Sequence, residues 1–304
     1  MSLSRREFVK LCTGTVAGLG ISQIFHPGLV LAVKEAVKKT PVIWIQGQGC
    51  TGCSVSLLNA VHPSIKEVLL EIISLEYNPT VMAAEGHVAM EHMFEVAKQN
   101  QGKFFLVVEG SIPTEADGKY CIIGEMGHHH VSMVEAAQEL GKMAAATVAV
   151  GTCATFGGIP AAWGSETGAK SVQDFFAMSG IKTPVINVAG CPPHPDWIVG
   201  TVAHVLMYGI PELDDYARPT LFFGSNIHEN CAYRGYYDEG VFSETFTQKV
   251  GCRLEVGCKG PNANADCWKR RWNNGVNWCV ENAVCIGCTE PGFPDDMSPF
   301  YEGM

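Results

Sequence analysis

The chain has 304 residues, 47% of them hydrophobic, a formal net charge of -10 at pH 7 and only 21 Lys plus Arg. That length and apolar share support a buried core in one or two domains, while the charge balance excludes a nucleic-acid surface, which needs clustered basic residues. Composition is otherwise ordinary except for 13 cysteines.

At the start of the chain, Ser4-Arg5-Arg6-Glu7-Phe8-Val9-Lys10 precedes a mildly apolar stretch rich in Gly, Ala and Thr. An Arg pair followed by Phe ahead of such a stretch reads as a twin-arginine export signal over residues 1–32, cleaved after Ala32. Cys12 falls inside it and carries no ligand role. That route moves proteins already folded. No later stretch approaches the run of about eighteen apolar residues that a membrane-spanning helix needs. The mature chain is therefore expected in the periplasm, soluble or peripherally attached.

From residue 41 to about 210, short apolar runs alternate with amphipathic stretches. Residues 42–46, 104–109, 146–150 and 184–188 read as strands, and 56–70, 89–99, 132–143 and 196–208 as helices. Near-continuous Val/Ile runs between helices indicate a parallel sheet covered on both faces, an α/β domain of flavodoxin-like type. Cys50, Glu109, Cys153 and Cys191 each fall at or just beyond the end of a predicted strand, on the edge where open parallel sheets bind ligands. Glycines flank the three cysteines, as in Gly49-Cys50, Gly151-Thr152-Cys153 and Gly190-Cys191, and let backbone approach a bound group closely. Over residues 211–304 strand signals fade, three tryptophans cluster at Trp268, Trp272 and Trp278, and seven cysteines accumulate. This reads as a second, loop-rich domain ordered largely by metal–ligand bonds.

Eleven cysteines and His228 make three sets of four: Cys50, Cys53, Cys153 and Cys191; His228, Cys231, Cys252 and Cys258; Cys267, Cys279, Cys285 and Cys288. Four thiolates per group, with an occasional histidine, is what four-iron iron-sulfur clusters require. A disulfide framework is the rival in an exported protein, yet such frameworks serve short domains lacking a core, and the first half here has a full α/β pattern. The C-x-x-C pairs Cys50/Cys53 and Cys285/Cys288 and the H-x-x-C pair His228/Cys231 put two ligands on one centre, which leaves zinc as an open alternative. Cys121, between Tyr120 and Ile122, reads as a buried strand cysteine. His128, His129 and His130 are adjacent, cannot readily share one coordination sphere, and read as a surface loop.

Seven ordered motifs carry a specific resemblance: Gln48-Gly49-Cys50-Thr51-Gly52-Cys53, Val108-Glu109-Gly110-Ser111-Ile112-Pro113, Gly151-Thr152-Cys153-Ala154, Gly190-Cys191-Pro192-Pro193, Ile227-His228-Glu229-Asn230-Cys231, Gly257-Cys258-Lys259-Gly260-Pro261 and Cys285-Ile286-Gly287-Cys288. Together they resemble the small subunit of nickel-iron hydrogenases. The resemblance implies an electron-transfer subunit with three four-iron four-sulfur clusters: a proximal one on the Cys50 set, a medial one on the Cys267 set and a distal one on the His228 set. It also implies a partner large subunit holding the nickel-iron centre and a low-potential c-type cytochrome as acceptor. Many members carry proline at the position of Cys279 and a three-iron medial cluster, so the fourth thiolate here resembles the nickel-iron-selenium subgroup. Oxygen-tolerant members add cysteines at the positions of Gly52 and Gly158, and glycine at both implies an ordinary proximal cluster. Glu109, charged at a strand end, is expected to orient the interface with the large subunit. Two other readings remain: a related quinone-reductase subunit sharing only the proximal motif, and an exported thiol or metal-binding protein without redox turnover.

Overall fold

The computed structural model describes residues 40–273 and 275–303; the expected export signal at residues 1–32, with Cys12, lies outside them. Five strands form one sheet: β1 (Thr40–Gln46), β2 (Ile73–Tyr77), β3 (Phe105–Glu109), β4 (Ala146–Val150) and β5 (Val185–Val188). Every neighbouring pair is parallel and the spatial order is 2-1-3-4-5, the doubly wound, flavodoxin-like arrangement, whose ligand-binding switch point lies between β1 and β3.

Alternation along the strands divides the interior into two cores. Ile43 and Ile45 of β1, with Leu106 and Val108 of β3, pack against α2 (Gly86–Gln99), α3 (Met133–Met143) and α5 (Val172–Met178). Val42 and Trp44, with Val107, Val148, Val150 and Val188, face the opposite side, toward α1 (Gly52–Leu58) and α6 (Pro195–Tyr208). α4 (Thr152–Phe156) follows β4 directly. Strands buried on both faces carry apolar side chains at every position, which is why they read as continuous runs.

The second core does not stop at α6. Phe222, Ile227, Cys258, Ala263, Trp278, Val280 and Cys285 belong to the same buried cluster as Trp44 and Trp197. Residues 211–303 contain only short helical turns, among them Thr220–Phe223, Arg234–Asp238, Cys267–Arg270 and Cys279–Asn282, and no strand among the described residues. Polar ties reinforce the packing. Trp197 Nε1 donates to Asp266 Oδ1 at 2.6 Å, and Arg270 reaches Asp266 at 2.8 Å and Asp196 at 3.1 Å. Buried Arg218 donates to the Thr289 carbonyl at 2.8 Å and to Glu290 Oε1 at 3.1 Å.

Three local expectations need correction. The helix expected over residues 56–70 is broken: α1 ends at Leu58, and a new turn starts at Ile65 behind a capping box between Ser64 and Glu67. Pro63 is the cause, because it has no N–H to donate and disfavours helical backbone at His62. Cys121 precedes rather than occupies the strand Ile122–Met126; it is half-buried against the α2/α3 core. His129 and His130 lie in the second strand of a hairpin, His129–Ser132, rather than in a loop, and His129 pairs with Glu135 at 2.8 Å.

Candidate functional site

Register places the site. Gln46 is level with Glu109, Glu109 with Val150 and Val150 with Val188, so β1, β3, β4 and β5 end in a row. The loops that follow carry Cys50 and Cys53, then Cys153, then Cys191, and they converge at that edge. Cys53 feels the charges of Cys153, Cys50 and Cys191. Its thiol is pushed far up, first by burial and then by the Glu109 carboxylate; Cys153 is pushed up to about 11, chiefly by burial. Gly151 (φ +89) lies against this quartet, and a Cβ there would collide with Cys53 Sγ. A Cβ at Gly52 would stand 3.0 Å from Cys50 Sγ, and one at Gly158 would stand 2.8 Å from the Cys153 nitrogen. Both positions are therefore tight against the ligand loops, and a cysteine at Gly158 would require the loop to shift.

Glu109 holds this quartet from beneath. Its carboxylate is 2% exposed and accepts five hydrogen bonds: from Trp44 Nε1 (3.0 Å), Gln46 Nε2 (3.0 Å), the backbone N–H groups of Cys53 (3.0 Å) and Ser54 (3.2 Å), and Ser54 Oγ (2.5 Å). The carboxylate caps the first turn of α1, which begins between Cys50 and Cys53, where a negative charge meets unpaired backbone N–H groups. Its partners all lie within the chain, so Glu109 positions the C-x-x-C loop directly.

In the second quartet Cys285 feels Cys279 and then Cys258 of the neighbouring set, ahead of Cys267 and Cys288, and Cys267 feels Cys279 and Cys288. Burial drives Cys267 and Cys285 well above the usual thiol range; Cys279 is pushed up to about 12 by the protein around it, although its edge is exposed. Trp268 and Trp278, each next in sequence to a cysteine of this set, carry buried indole N–H groups with no partner in the protein, donors from which cluster sulfides could accept hydrogen bonds.

In the third quartet Cys231 feels Cys258 and Cys252, and burial pushes it up to about 11. Gly260 stands between Cys258 and His228: its missing Cβ would meet Cys258 Sγ at 3.4 Å and His228 Cβ at 3.7 Å. The His228 N–H donates to the Gly260 carbonyl at 3.2 Å. Desolvation, then the nearby Arg234 charge, lowers the His228 pKa and favours the neutral imidazole, the form a metal site would need. The ring stands edge-on to Tyr237 at 4.7 Å.

The quartets adjoin in series. Thr152 Oγ1, beside Cys153, donates to the Cys288 carbonyl. The Lys259 N–H, in the peptide that follows Cys258, donates to the Cys285 carbonyl at 2.8 Å. All twelve described cysteines are free, so the disulfide framework finds no support among them. Among the described residues no group of three or more His, Cys, Asp or Glu is close enough to hold a single metal ion; cluster thiolates each take a different iron and stand further apart. Dense thiols, glycine-lined cradles and orphaned donors fit iron-sulfur clusters.

A family model for the C-terminal part of the NiFe/NiFeSe hydrogenase small subunit matches residues 223–301, and one for the NADH ubiquinone oxidoreductase 20 kDa subunit matches residues 50–205. The periplasmic [NiFeSe] hydrogenase small subunit of Desulfomicrobium baculatum is 64% identical, with 99% of each chain covered. This chain belongs to the NiFe/NiFeSe hydrogenase small-subunit family. A periplasmic [NiFe] hydrogenase small subunit of Nitratidesulfovibrio vulgaris is 40% identical over 99% of this chain and 93% of its own. The solved NiFeSe hydrogenase of Desulfomicrobium baculatum matches with a TM-score of 0.85 at 63% identity, covering 88% of this chain and 100% of that one. The hydrogenase match beyond residue 222 argues against a quinone-reductase relative that shares only the first quartet. Thr152 carries little signal in the sequence, only a hydroxyl beside the cysteine in Gly151-Thr152-Cys153.

Proposed function

We propose that this hydrogenase small subunit is an electron conduit with three four-iron sites. Cys50, Cys53, Cys153 and Cys191 would hold the proximal cluster, Cys267, Cys279, Cys285 and Cys288 the medial one, and His228, Cys231, Cys252 and Cys258 the distal one. When bound, such clusters supply one-electron carriers that change charge with little rearrangement. The chain's own part is to offer thiolates from buried loops, to exclude water around them, and to fix the three sets in sequence.

The observation that carries this reading is the serial contact of the quartets, Cys153 and Cys191 loops to Cys288 at one end and Cys285 to the Cys258 peptide at the other. A hydrogenase small subunit pairs with a large subunit, and the proximal edge of the sheet is where that partner, with its nickel-iron centre, would stand. Ile159 and Trp163, the latter 96% exposed, lie on the loop just past Cys153 and give that edge an apolar surface suited to a partner. Half-buried His228 marks the opposite outlet, toward a c-type cytochrome. Relatives are named periplasmic, and the Arg5-Arg6 signal supports export in the folded state. Among the described residues no helix is long and apolar enough to cross a membrane.

Iron, sulfide and nickel content of the purified heterodimer, with paramagnetic resonance in oxidised and reduced states, tests the assignment. The expected result is about twelve irons from the small subunit and no oxidised three-iron signal, because Cys279 supplies the fourth medial thiolate. A content near four irons would sink it.

A further inference from the structure

One hydroxyl group joins two loops of the proximal site to the medial site. Thr152 is 1% exposed and is the first residue of α4, two positions past the end of β4 and immediately before Cys153. Its N–H donates to the Gly190 carbonyl at 2.9 Å, and its Oγ1 accepts from the Gly190 N–H at 2.9 Å. Gly190 immediately precedes Cys191. The same Oγ1 donates to the carbonyl of Cys288. A threonine hydroxyl has one proton to give and lone pairs to receive, and here both capacities are used: the acceptor side holds the Cys191 loop, the donor side holds the Cys288 loop.

This side-chain hydrogen bond ties a residue flanking the first quartet to a ligand of the second. A through-hydrogen-bond connection therefore runs from the Cys153 and Cys191 loops to Cys288. The junction between the second and third quartets is built differently, from two backbone groups, Lys259 N–H and the Cys285 carbonyl. A side-chain substitution can thus alter the first junction and leave the second untouched, so the two can be separated.

We propose that Thr152 is a positioning residue for electron passage, its hydroxyl fixing the Cys288 loop against the Cys153 and Cys191 loops and carrying the electronic contact between them. The inference rests on the three-site reading above. One electron moves at a time, no covalent bond forms or breaks, and the hydroxyl proton stays on Thr152.

The test compares Thr152→Val, which keeps the branched shape and removes the hydroxyl, with Thr152→Ser, which keeps the hydroxyl, in the purified heterodimer. Iron content is measured first, because a shortfall in the unmodified protein would count against the three-site reading and not against Thr152. In the reduced heterodimer, paramagnetic resonance reads the magnetic interaction between neighbouring centres, and rapid mixing with dihydrogen reads how fast the visible absorption of the later centres bleaches. Thr152→Val is expected to change the proximal–medial splitting and to bleach several-fold more slowly, with the medial–distal splitting and hydrogen–deuterium exchange at the large subunit unchanged; Thr152→Ser is expected to match the unmodified protein. A fully iron-loaded Thr152→Val with normal splitting and bleaching overturns the proposal. So does a Thr152→Ser heterodimer in which that splitting changes, and this second arm decides even where the valine variant fails to assemble.

Discussion

The two halves of this molecule reach order by different means. Residues 40–210 are organised by a five-stranded parallel sheet whose backbone pairs continuously and whose side chains fill cores on both faces. Among the described residues 211–303 there is no sheet, and this half leans on one face of the first through Phe222, Trp278 and the ties from Asp266 to Trp197 and from Arg270 to Asp196. A chain can thus place one cysteine set on a self-supporting scaffold and two on a segment that is ordered by what it touches.

Removing iron from the purified heterodimer by anaerobic chelation is the harshest way to break the contrast. Amides of β1, β3 and β4 should keep their protection from hydrogen exchange, while those around Cys231, Cys258 and Cys285 lose it, since metal-binding energy is folding energy for a loop-rich segment. Equal loss across both halves would remove the distinction. Arg218→Met comes next. It strands buried Glu290, which also accepts from the Asn264 N–H at 2.6 Å, and breaking a buried pair from one side costs about 3 kcal/mol; the deprotection should be confined to residues 211–303 in hydrogen exchange.

Glu109→Gln acts on the scaffold side. It replaces a charged acceptor of five hydrogen bonds with an amide that presents donors to other donors, and should cost about 2 kcal/mol, read as a lower midpoint in thermal unfolding of the iron-loaded protein. No change would mean the carboxylate is not what anchors Cys53 and Ser54. The smallest effect belongs to His194, whose Nε2 bonds the Arg271 carbonyl at 2.6 Å and whose Nδ1 accepts from the Asp196 N–H at 3.1 Å. Burial holds its pKa below the usual 6.5. The unfolded chain therefore binds the proton more readily, and this contribution to stability, whole above pH 6.5, is lost as pH falls toward the lower folded value. A His194→Gln variant should flatten that part of the stability–pH curve; an unchanged slope would exclude His194 as its source.

Much of the scaffold was legible because fully buried strands such as Val42–Ile45 and Val107–Val108 leave a continuous apolar signature, and because glycine next to cysteine marks backbone brought close to a bound group. Edge strand β2 escaped notice, since Ile73-Ser74-Leu75-Glu76-Tyr77 is only half-buried and follows an irregular helical turn. Pro63 should have split the expected helix, and was outweighed by apolar residues on either side. The proposed cysteine sets rest on residue types and spacings, but the support beneath them was not readable there. Glu109 gathers donors from positions 44, 46, 53 and 54, and Thr152 joins loops near 190 and 288, pairings that depend on strand register and on how the second half folds back.

The shared core between the halves bears on how steady the molecule is. Two domains joined by a thin interface rock against one another by default, and any carriers they bore would drift nearer and farther with that motion. Here Trp44, Val148 and Trp197 from one half interlock with Phe222, Ile227 and Trp278 from the other, at a density that resists compression. Any change in the spacing between the two halves must therefore disturb that shared packing.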